Sequence, residues 1–473
     1  MTALAATLAP GERRGRTPAA LAGALALLVA ALALCINRVH NGDVYLQLAA
    51  GRALAHGGLV WHDPFPTIAA GREWLNQQWL SELVFYNVVR AVGLTGLTLL
   101  YALALGLPLG WLLWRCRRKG PTMLAAGAAL YFPTILAIVH PRAAVFTLAA
   151  MSCLVLLLLR GWPATLAVPA LFALWANLHG GFVAGLLLIA LVGVGRLIEH
   201  ARSPARAAAG RRRLRPLLVS GLIGLAAGGA TLATPLGPRV WDYVLSFHNP
   251  AISLATQEWE PAVHSPPILI YLVVAAAFTL WLWRNAPRPR PITPPLVAAG
   301  FLLLTLYSQR NVALLGPVML YLIATCAPDC DQARQRRSPV VVVGLAAVAA
   351  SAVWAFALGP ARTAPYLKPR LVDAVLRHPP PTGRIAAVAG EGSYLLWRAA
   401  RTPVVINGWL EHYRPGELRG AYAVLRPTPA SLTYIRAWHV DGVITRSART
   451  VRWLRAHGFR VAAATGEGTY LER

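Results

Sequence analysis

Charge is scarce in this chain. Asp, Glu, Lys and Arg make up 13% of its 473 residues and apolar residues 56%, where a soluble globular protein carries about a quarter charged residues. That is not the balance of a soluble globular chain and indicates an integral membrane protein with several spans. Lysine is nearly missing, at Lys119 and Lys368, so the basic charge is arginine. Acids are few, 18 Asp and Glu against 45 Lys and Arg, a net charge of +27. The surplus does not indicate nucleic-acid binding. Arginine clusters fall in short loops between apolar runs, as the positive-inside rule predicts, and the basic residues of the last stretch are mixed with acids; some suit anionic lipid headgroups. The cysteines Cys35, Cys116, Cys153, Cys326 and Cys330 lie in or beside apolar segments or in arginine-rich loops. They form no disulfide framework, and Cys326 and Cys330 lack partners at zinc spacing. There is no phosphate loop, dinucleotide glycine fingerprint, HExxH or nucleophile-elbow serine, and GEG at 390–392 is too short for a nucleotide site. Residues 21–36 lack a small-residue cleavage site, so they are expected to be a retained first span.

What the chain has is concentrated in one stretch, 37–79. It leaves the first apolar segment without entering another at once. It holds Asp43, Asp63, Glu73, His40, His56 and His62, together with Trp61, Trp74 and Trp79, the residue type that settles at a membrane–water boundary. Within it, residues 43–56 fit an interfacial helix with Tyr45, Leu48, Ala49 and Arg52 at helical spacing. Residues 74–89 fit a second amphipathic stretch.

Apolar runs predict eleven spans, at about 19–36, 94–114, 121–139, 144–159, 164–178, 182–198, 217–233, 268–283, 295–308, 312–326 and 340–358. Those of 14–16 residues fall short of the ~20 that cross hydrocarbon, so their ends must include flanking polar residues or cross a thinned region. Arginine clusters at 115–119, 202–215, 284–290 and 334–337 mark the inner side. The expected topology is a multi-pass plasma-membrane protein with its N-terminus cytoplasmic and its C-terminus outside. Most acids and all but one histidine of the membrane half then fall outside. The positive-inside rule concerns Lys and Arg only, so that sorting suggests use.

The expected fold is a polytopic α-helical membrane domain over 1–358, with its first extracytoplasmic loop at 37–93, followed by a small extracytoplasmic α/β domain over 359–473. Strands are predicted at 384–389, 403–407, 441–445, 460–463 and 468–471, a turn and helix at 390–398, and helices at 430–439 and 448–457. Roughly 110 residues suffice to bury a separate core.

The candidate site residues all fall on the expected outer side. Asp43 opens a helical pattern, where a carboxylate serves as an N-cap or, at the mouth of a cavity, as a general base. Asp63 precedes Pro64 and suits a turn; with Asp43 it would also supply oxygen ligands for a divalent cation, though no spacing demands one. His140, Arg142, His179 and Arg310 sit at span ends. They either snorkel or form a pocket for a lipid phosphate, a task that suits the planar donor fork of arginine. Glycines at 180–181 let the backbone turn tightly beside His179. Glu258 and Glu260 flank Trp259, a set that contacts a sugar ring or lies at the interface.

The arrangement resembles GT-C-type membrane glycosyltransferases, which have many spans, a long first outer loop with an essential acid near the end of the first span, and often an outer C-terminal domain. Asp43 in HNGDVYLQLAAGR matches that acid. More closely, the chain resembles a group of bacterial membrane proteins with GT-C-like architecture, through GDVYLQLAAGRALAHGGLVWHDPFP, GREWLNQQWLSELVFY, HPRAAVFTL, WANLHGGFVAGL, TPLGPRVWDYV, QEWEP, SQRN and EGSYLLW…VVINGW. Relatives tend to carry Asp-Gly-Arg where this chain has Asn407, Gly408 and Trp409. The resemblance implies inverting transfer of a sugar from a polyprenyl-phosphate-linked donor to an extracytoplasmic glycan, lipid or protein acceptor of the cell envelope. It implies Asp43 as base, Arg142 and Arg310 as donor-phosphate ligands, and Asp63, His140, His179 and Glu258 as site-lining residues. The alternative is a non-enzymatic lipid or polysaccharide transporter, or an envelope assembly factor, on the same scaffold. A transporter would show discontinuous helices, midplane charges and often internal repeats. Here ionisable residues sit at span ends and no repeat is evident.

Overall fold

The computed structural model describes residues 42–136, 141–202, 215–246, 252, 256, 258–329, 369–377, 379–380, 382–466 and 468–473. The expected spans at 19–36 and 340–358, and His140, lie outside the described residues.

The helical half contains α1 (Gly42–Gly57), α2 (Trp79–Cys116), α3 (Pro121–Leu136), α4 (Ala144–Arg160), α5 (Val168–Leu178), α6 (Phe182–Ala201), α7 (Arg215–Ala230), α8 (Arg239–Ser246), α9 (Pro266–Arg284), α10 (Thr293–Tyr307) and α11 (Val312–Cys326). Among the described residues three helices are long and apolar enough to cross a membrane, Trp79–Lys119, Phe182–Ala201 and Pro266–Arg284. Shorter apolar helices include Ala144–Arg160, Leu218–Ala230 and Thr293–Tyr307. Their outward faces carry large apolar side chains such as Leu107, Leu222, Leu225, Ile270 and Leu303, as helices facing lipid do. By contrast α11 is buried along almost its whole length and packs against α3, α4 and α10.

Two sequence expectations change here. The helix at 43–56 forms, as α1, but it is covered on both sides and lacks the broad exposed face of an interfacial helix. Val44, Tyr45, Leu46, Leu48, Ala49 and Ala50 are all buried, because α2 covers one side and the C-terminal unit the other. Gly51 lets α1 press directly on the backbone carbonyl of Glu82. The second stretch starts later than expected, at Trp79, and runs on into the following span. The joint is Gly93, whose φ of 74° breaks the helical path and suits glycine. The segment before it stands apart from the apolar segment after it.

The C-terminal unit contains α12 (Pro369–Arg377), β1 (Arg384–Ala386), α13 (Ala389–Arg398), α14 (Pro415–Val424), α15 (Pro429–Ala437), β2 (Val440–Thr445), α16 (Ala448–Ala456), β3 (Arg460–Thr465) and β4 (Gly468–Glu472). The sheet order is β1-β2-β4-β3, with β1 parallel to β2 and the other pairs antiparallel. The stretch expected as a strand at 403–407 pairs only briefly. Ile385 N–H donates to Pro403 O and Val405 N–H to Ile385 O, each at 2.9 Å. The first loop then covers this edge, with Val404 N–H donating to Pro66 O at 3.0 Å and Ile68 N–H to Val405 O at 3.2 Å. An open sheet edge is thus satisfied by the helical half. Helix α14 was not predicted. It starts on Pro415–Gly416 and contains Gly420, weak helix formers; Gly420 is there because Tyr434 and Trp438 pack against its Cα.

Candidate functional site

The two halves meet along α1 and α13, which run parallel. Their first turns touch: a Cβ on Gly42 would overlap the Gly390 Cα. Tyr45 and Tyr394 pack edge to face at 4.6 Å. At the far ends, the Arg52 guanidinium donates to Leu396 O at 2.8 Å and Trp397 O at 2.9 Å. A cation there satisfies the last carbonyls of α13 and its negative dipole end. On the other side of the seam, the Arg72 guanidinium holds both oxygens of Glu417 at 2.8 and 2.5 Å, a two-point fork.

Beside this seam lies a cavity of about 330 Å³, within the range of ligand sites. It gathers residues that are far apart in sequence. Asp43, Arg142, His179, Glu258 and Arg310 all line it. Asp43 projects from the first turn of α1. Arg142 lies just before α4, His179 in the loop after α5, and Arg310 in the turn between α10 and α11. These four come from helix ends, and Glu258 from the turn segment before α9.

The charges are arranged unevenly. Arg142 Nη1 donates to both carboxylate oxygens of Glu258, at 2.7 and 2.8 Å. Burial opposes the Arg142 charge, but Glu258, Asp43 and Tyr101 outweigh it and raise its pKa. The Arg310 guanidinium sits over the Trp259 ring at 3.8 Å, a cation–π contact. Burial lowers its pKa and Arg142 adds to that, yet arginine keeps its charge. Its loop is fastened by Arg310 N–H donating to Glu258 O at 2.9 Å and Gln309 N–H to Glu260 O at 3.0 Å. The 258–260 segment thus carries one arginine's counter-ion and the other's aromatic seat.

His179 accepts at Nδ1 from Gly181 N–H at 3.1 Å, with Thr147 Oγ1 at 2.8 Å from the same nitrogen. Trp175 Nε1–H donates to Thr147 Oγ1 at 2.9 Å. Burial and the nearby Arg310 and Arg142 push His179 down to about 3, so it is neutral with its proton on Nε2. Gly181 is glycine because a Cβ would overlap the Thr147 side chain. The loop is clamped from the first turn of α2 and the residues just before it: Gly180 N–H donates to Gln77 Oε1 at 2.7 Å, Trp79 Nε1–H to Asn177 Oδ1 at 2.9 Å, and Ser81 Oγ–H to Leu178 O at 2.9 Å.

Asp63 is placed elsewhere. It does not line the cavity. Its Oδ1 accepts from Phe65 N–H at 2.9 Å, and its Oδ2 is 3.5 Å from His412 Nδ1 with the carboxylate fully buried. The turn chemistry that Pro64 predicted prevails, and Asp63 serves the seam between the halves. It therefore shares no site with Asp43. Among the described residues, no group of three or more His, Cys, Asp or Glu is placed to hold a metal ion.

Sequence reasoning missed the rest of the lining. Gln47, Gln77 and Gln78 line the cavity from the helical half, and Gly390, Gly408, Trp409, Glu411 and Tyr422 from the C-terminal unit. Trp409 is tied down by Trp74, ring to ring at 3.9 Å. Glu411 accepts from the Tyr243 hydroxyl at 3.4 Å, and burial together with Glu411 raises the Tyr243 pKa. The available signal was the Gln77–Gln78 pair between tryptophans, and Gln47 four residues after Asp43, on the same helix face.

No protein-family model matches the chain, and no curated protein matches it. Solved structures do. The chain is similar to ArnT from Cupriavidus metallidurans bound to undecaprenyl phosphate, with TM-score 0.55, 15% identity, and 95% of this chain and 97% of that one covered. It is also similar to the archaeal oligosaccharyltransferase AglB from Archaeoglobus fulgidus in complex with an inhibitory peptide and a dolichol-phosphate, with TM-score 0.52, 10% identity, and 95% and 74% covered. At these identities the likeness is one of architecture: the chain has the GT-C-type fold.

Proposed function

We propose that the chain is a membrane glycosyltransferase that moves a sugar from a polyprenyl-phosphate-linked donor to an extracytoplasmic acceptor. The observation that carries this reading is the meeting of Asp43, Arg142 and Arg310 around one cavity. Arg310, seated on Trp259, is the first ligand of the donor phosphate. Arg142, held by Glu258, adds positive potential and a second fork. Neutral His179 offers Nε2–H to a phosphate oxygen without competing for the proton.

The chemistry is a single displacement. Asp43 takes the proton of an acceptor hydroxyl, the oxygen forms a bond to the anomeric carbon, and the bond from that carbon to the phosphate oxygen breaks. The electron pair leaves with the polyprenyl phosphate, and configuration inverts. The arginines stabilise the charge that develops on the leaving phosphate, usually the largest catalytic contribution, and Asp43 supplies the general base. In this reading the helical half is a multi-pass plasma-membrane domain with its N-terminus cytoplasmic, and the C-terminal unit closes the site outside. The sister structures described as bound to undecaprenyl phosphate and to dolichol-phosphate support the donor class.

The test is transfer by the purified chain in nanodiscs, with undecaprenyl-phosphate sugars as donors, comparing wild type with Asp43→Asn. The expected result is an inverted product from wild type and almost none from the variant. Equal turnover by both would remove Asp43 as base.

A further inference from the structure

One surface of the C-terminal unit, outside the cavity, is one-sided in charge. Residues 442–466 hold five arginines, Arg446, Arg449, Arg452, Arg455 and Arg460, and no Asp or Glu. All five are exposed. Arg446 Nη2 donates to Glu391 Oε1 at 3.1 Å, and Arg460 Nε to Glu472 Oε1 at 3.1 Å. Among the described residues, no ion pair or hydrogen bond engages the guanidinium of Arg449, Arg452 or Arg455.

The fold of α16 sets these three side by side. Thr450 and Leu454 are buried and Val451 is half-buried, which fixes the inward side of the helix. At 3.6 residues per turn, Arg455, Arg452 and Arg449 then share the outward side, and Trp453 and His457 continue it. The Trp453 and His457 rings pack at 4.2 Å. Helix stability does not account for this pattern. Like charges at such spacing repel, and Arg449 stands in the first turn, where the helix dipole disfavours a cation. That turn contains no acid. Its cap is Ser447, whose Oγ accepts from Thr450 N–H at 3.2 Å.

We propose that the outward face of α16 docks an anionic saccharide chain, the acceptor whose end enters the cavity. The track starts beside the cavity. Arg446, two residues ahead of α16, is bonded to Glu391, and Glu391 follows Gly390 in the cavity wall. Successive arginines along α16 rise by about 4.5 Å, so they present a row of forks suited to carboxylate or phosphate groups. Trp453 and His457 offer ring faces to the sugar units between those groups. A lipid surface fits less well. Helices that bind one insert an apolar face, whereas α16 keeps Leu454 buried and Val451 and Trp453 half-buried in its own unit. The acceptor role deepens the transferase reading and rests on it; the docking itself does not.

The experiment uses the full chain in phosphatidylcholine nanodiscs and reads binding, so it does not depend on turnover. The probes are two matched pairs, oligogalacturonate with its methyl ester and dextran sulfate with dextran. Phosphatidylglycerol vesicles are the lipid arm. Wild type is expected to bind at least one anionic saccharide in preference to its neutral partner, more weakly as salt is raised. The triple variant Arg449→Gln, Arg452→Gln, Arg455→Gln is expected to bind it about ten-fold more weakly. Arg419, Arg426 and Arg436 are exposed elsewhere on the same unit. Changing those three to Gln removes the same charge and is expected to cost less than about two-fold. Equal losses from the two triple variants, or no preference for an anionic saccharide over its neutral partner, overturn the proposal. So does a loss in the α16 variant confined to the vesicles. The transferase reading fails separately, when undecaprenyl-phosphate sugar transfer is indifferent to Asp43→Asn.

Discussion

The two walls of the cavity are built on opposite terms. The wall from the helical half carries Arg142, Arg310 and His179, each on a short loop at a helix end. The wall from the C-terminal unit offers Gly390, Gly408, Trp409, Leu410, Glu411 and Tyr422, and none of its described lining residues is a cation. Positive charge thus sits on the side continuous with the apolar helices, where a lipid-anchored phosphate would be held. Neutral, aromatic and acidic groups sit on the cap. On the proposed reading one cavity takes two kinds of ligand from two directions, with Asp43, near the touching point of α1 and α13, between them.

The sharpest way to break this contrast is at that point. Asp43→Asn is expected to lower the transfer rate by about 10²–10⁴-fold, the usual worth of a positioned general base, while undecaprenyl-phosphate binding is unchanged. A parallel fall in lipid binding would mean that Asp43 belongs to the donor wall. Next in size is the cationic wall. Arg310→Gln is expected to weaken undecaprenyl phosphate about 10–100-fold, the loss of a charged hydrogen bond, measured by native mass spectrometry or titration. Arg142→Gln should cost less, because Glu258 already shares that guanidinium. If the two losses were equal, Arg142 would have left Glu258 to meet the phosphate.

The cap wall is probed by stability. Gly42→Val drives a side chain into the Gly390 backbone and is expected to cost about 1–3 kcal/mol, as overpacking does, with acceptor binding lost before donor binding. The smallest effect concerns pH. Glu391 is buried on α13 beside Arg446 at 3.1 Å, and burial pushes it up to about 7 despite that partner. Its folded value lies above its ordinary one, so the folded state favours the protonated carboxyl. Stability is fullest below about pH 4.5 and falls as pH rises toward about 7. A thermal midpoint lower by a few degrees at pH 7.5 than at pH 5 is expected, and Glu391→Gln should flatten that dependence.

Much of the helical half was legible because apolar runs and arginine loops are local signals. The helix starts at Ala144 and Phe182 and the end at Cys326 fall close to the expected limits. The candidate cationic residues were legible for the same reason: a charge at the end of an apolar run shows up in a short window. The cap wall was not. Gly408 and Trp409 reach the cavity only because residues 66–68 pair with 404–405 across hundreds of positions, and no periodicity encodes that. The burial of α1 was hidden too, since a helix covered by two partners looks, in sequence, like one lying on a surface. Asp63 was misjudged because a turn carboxylate and a site carboxylate have the same local sequence; His412, which receives it, comes from the other half.

The most direct measurement is a structure of the chain with undecaprenyl phosphate. The phosphate is expected within hydrogen-bonding distance of the Arg310 guanidinium, on the same side of the cavity as Arg142 and His179, with Asp43 facing it across open space. A phosphate bound outside this cavity, or one held by residues of the C-terminal unit instead, would contradict the account.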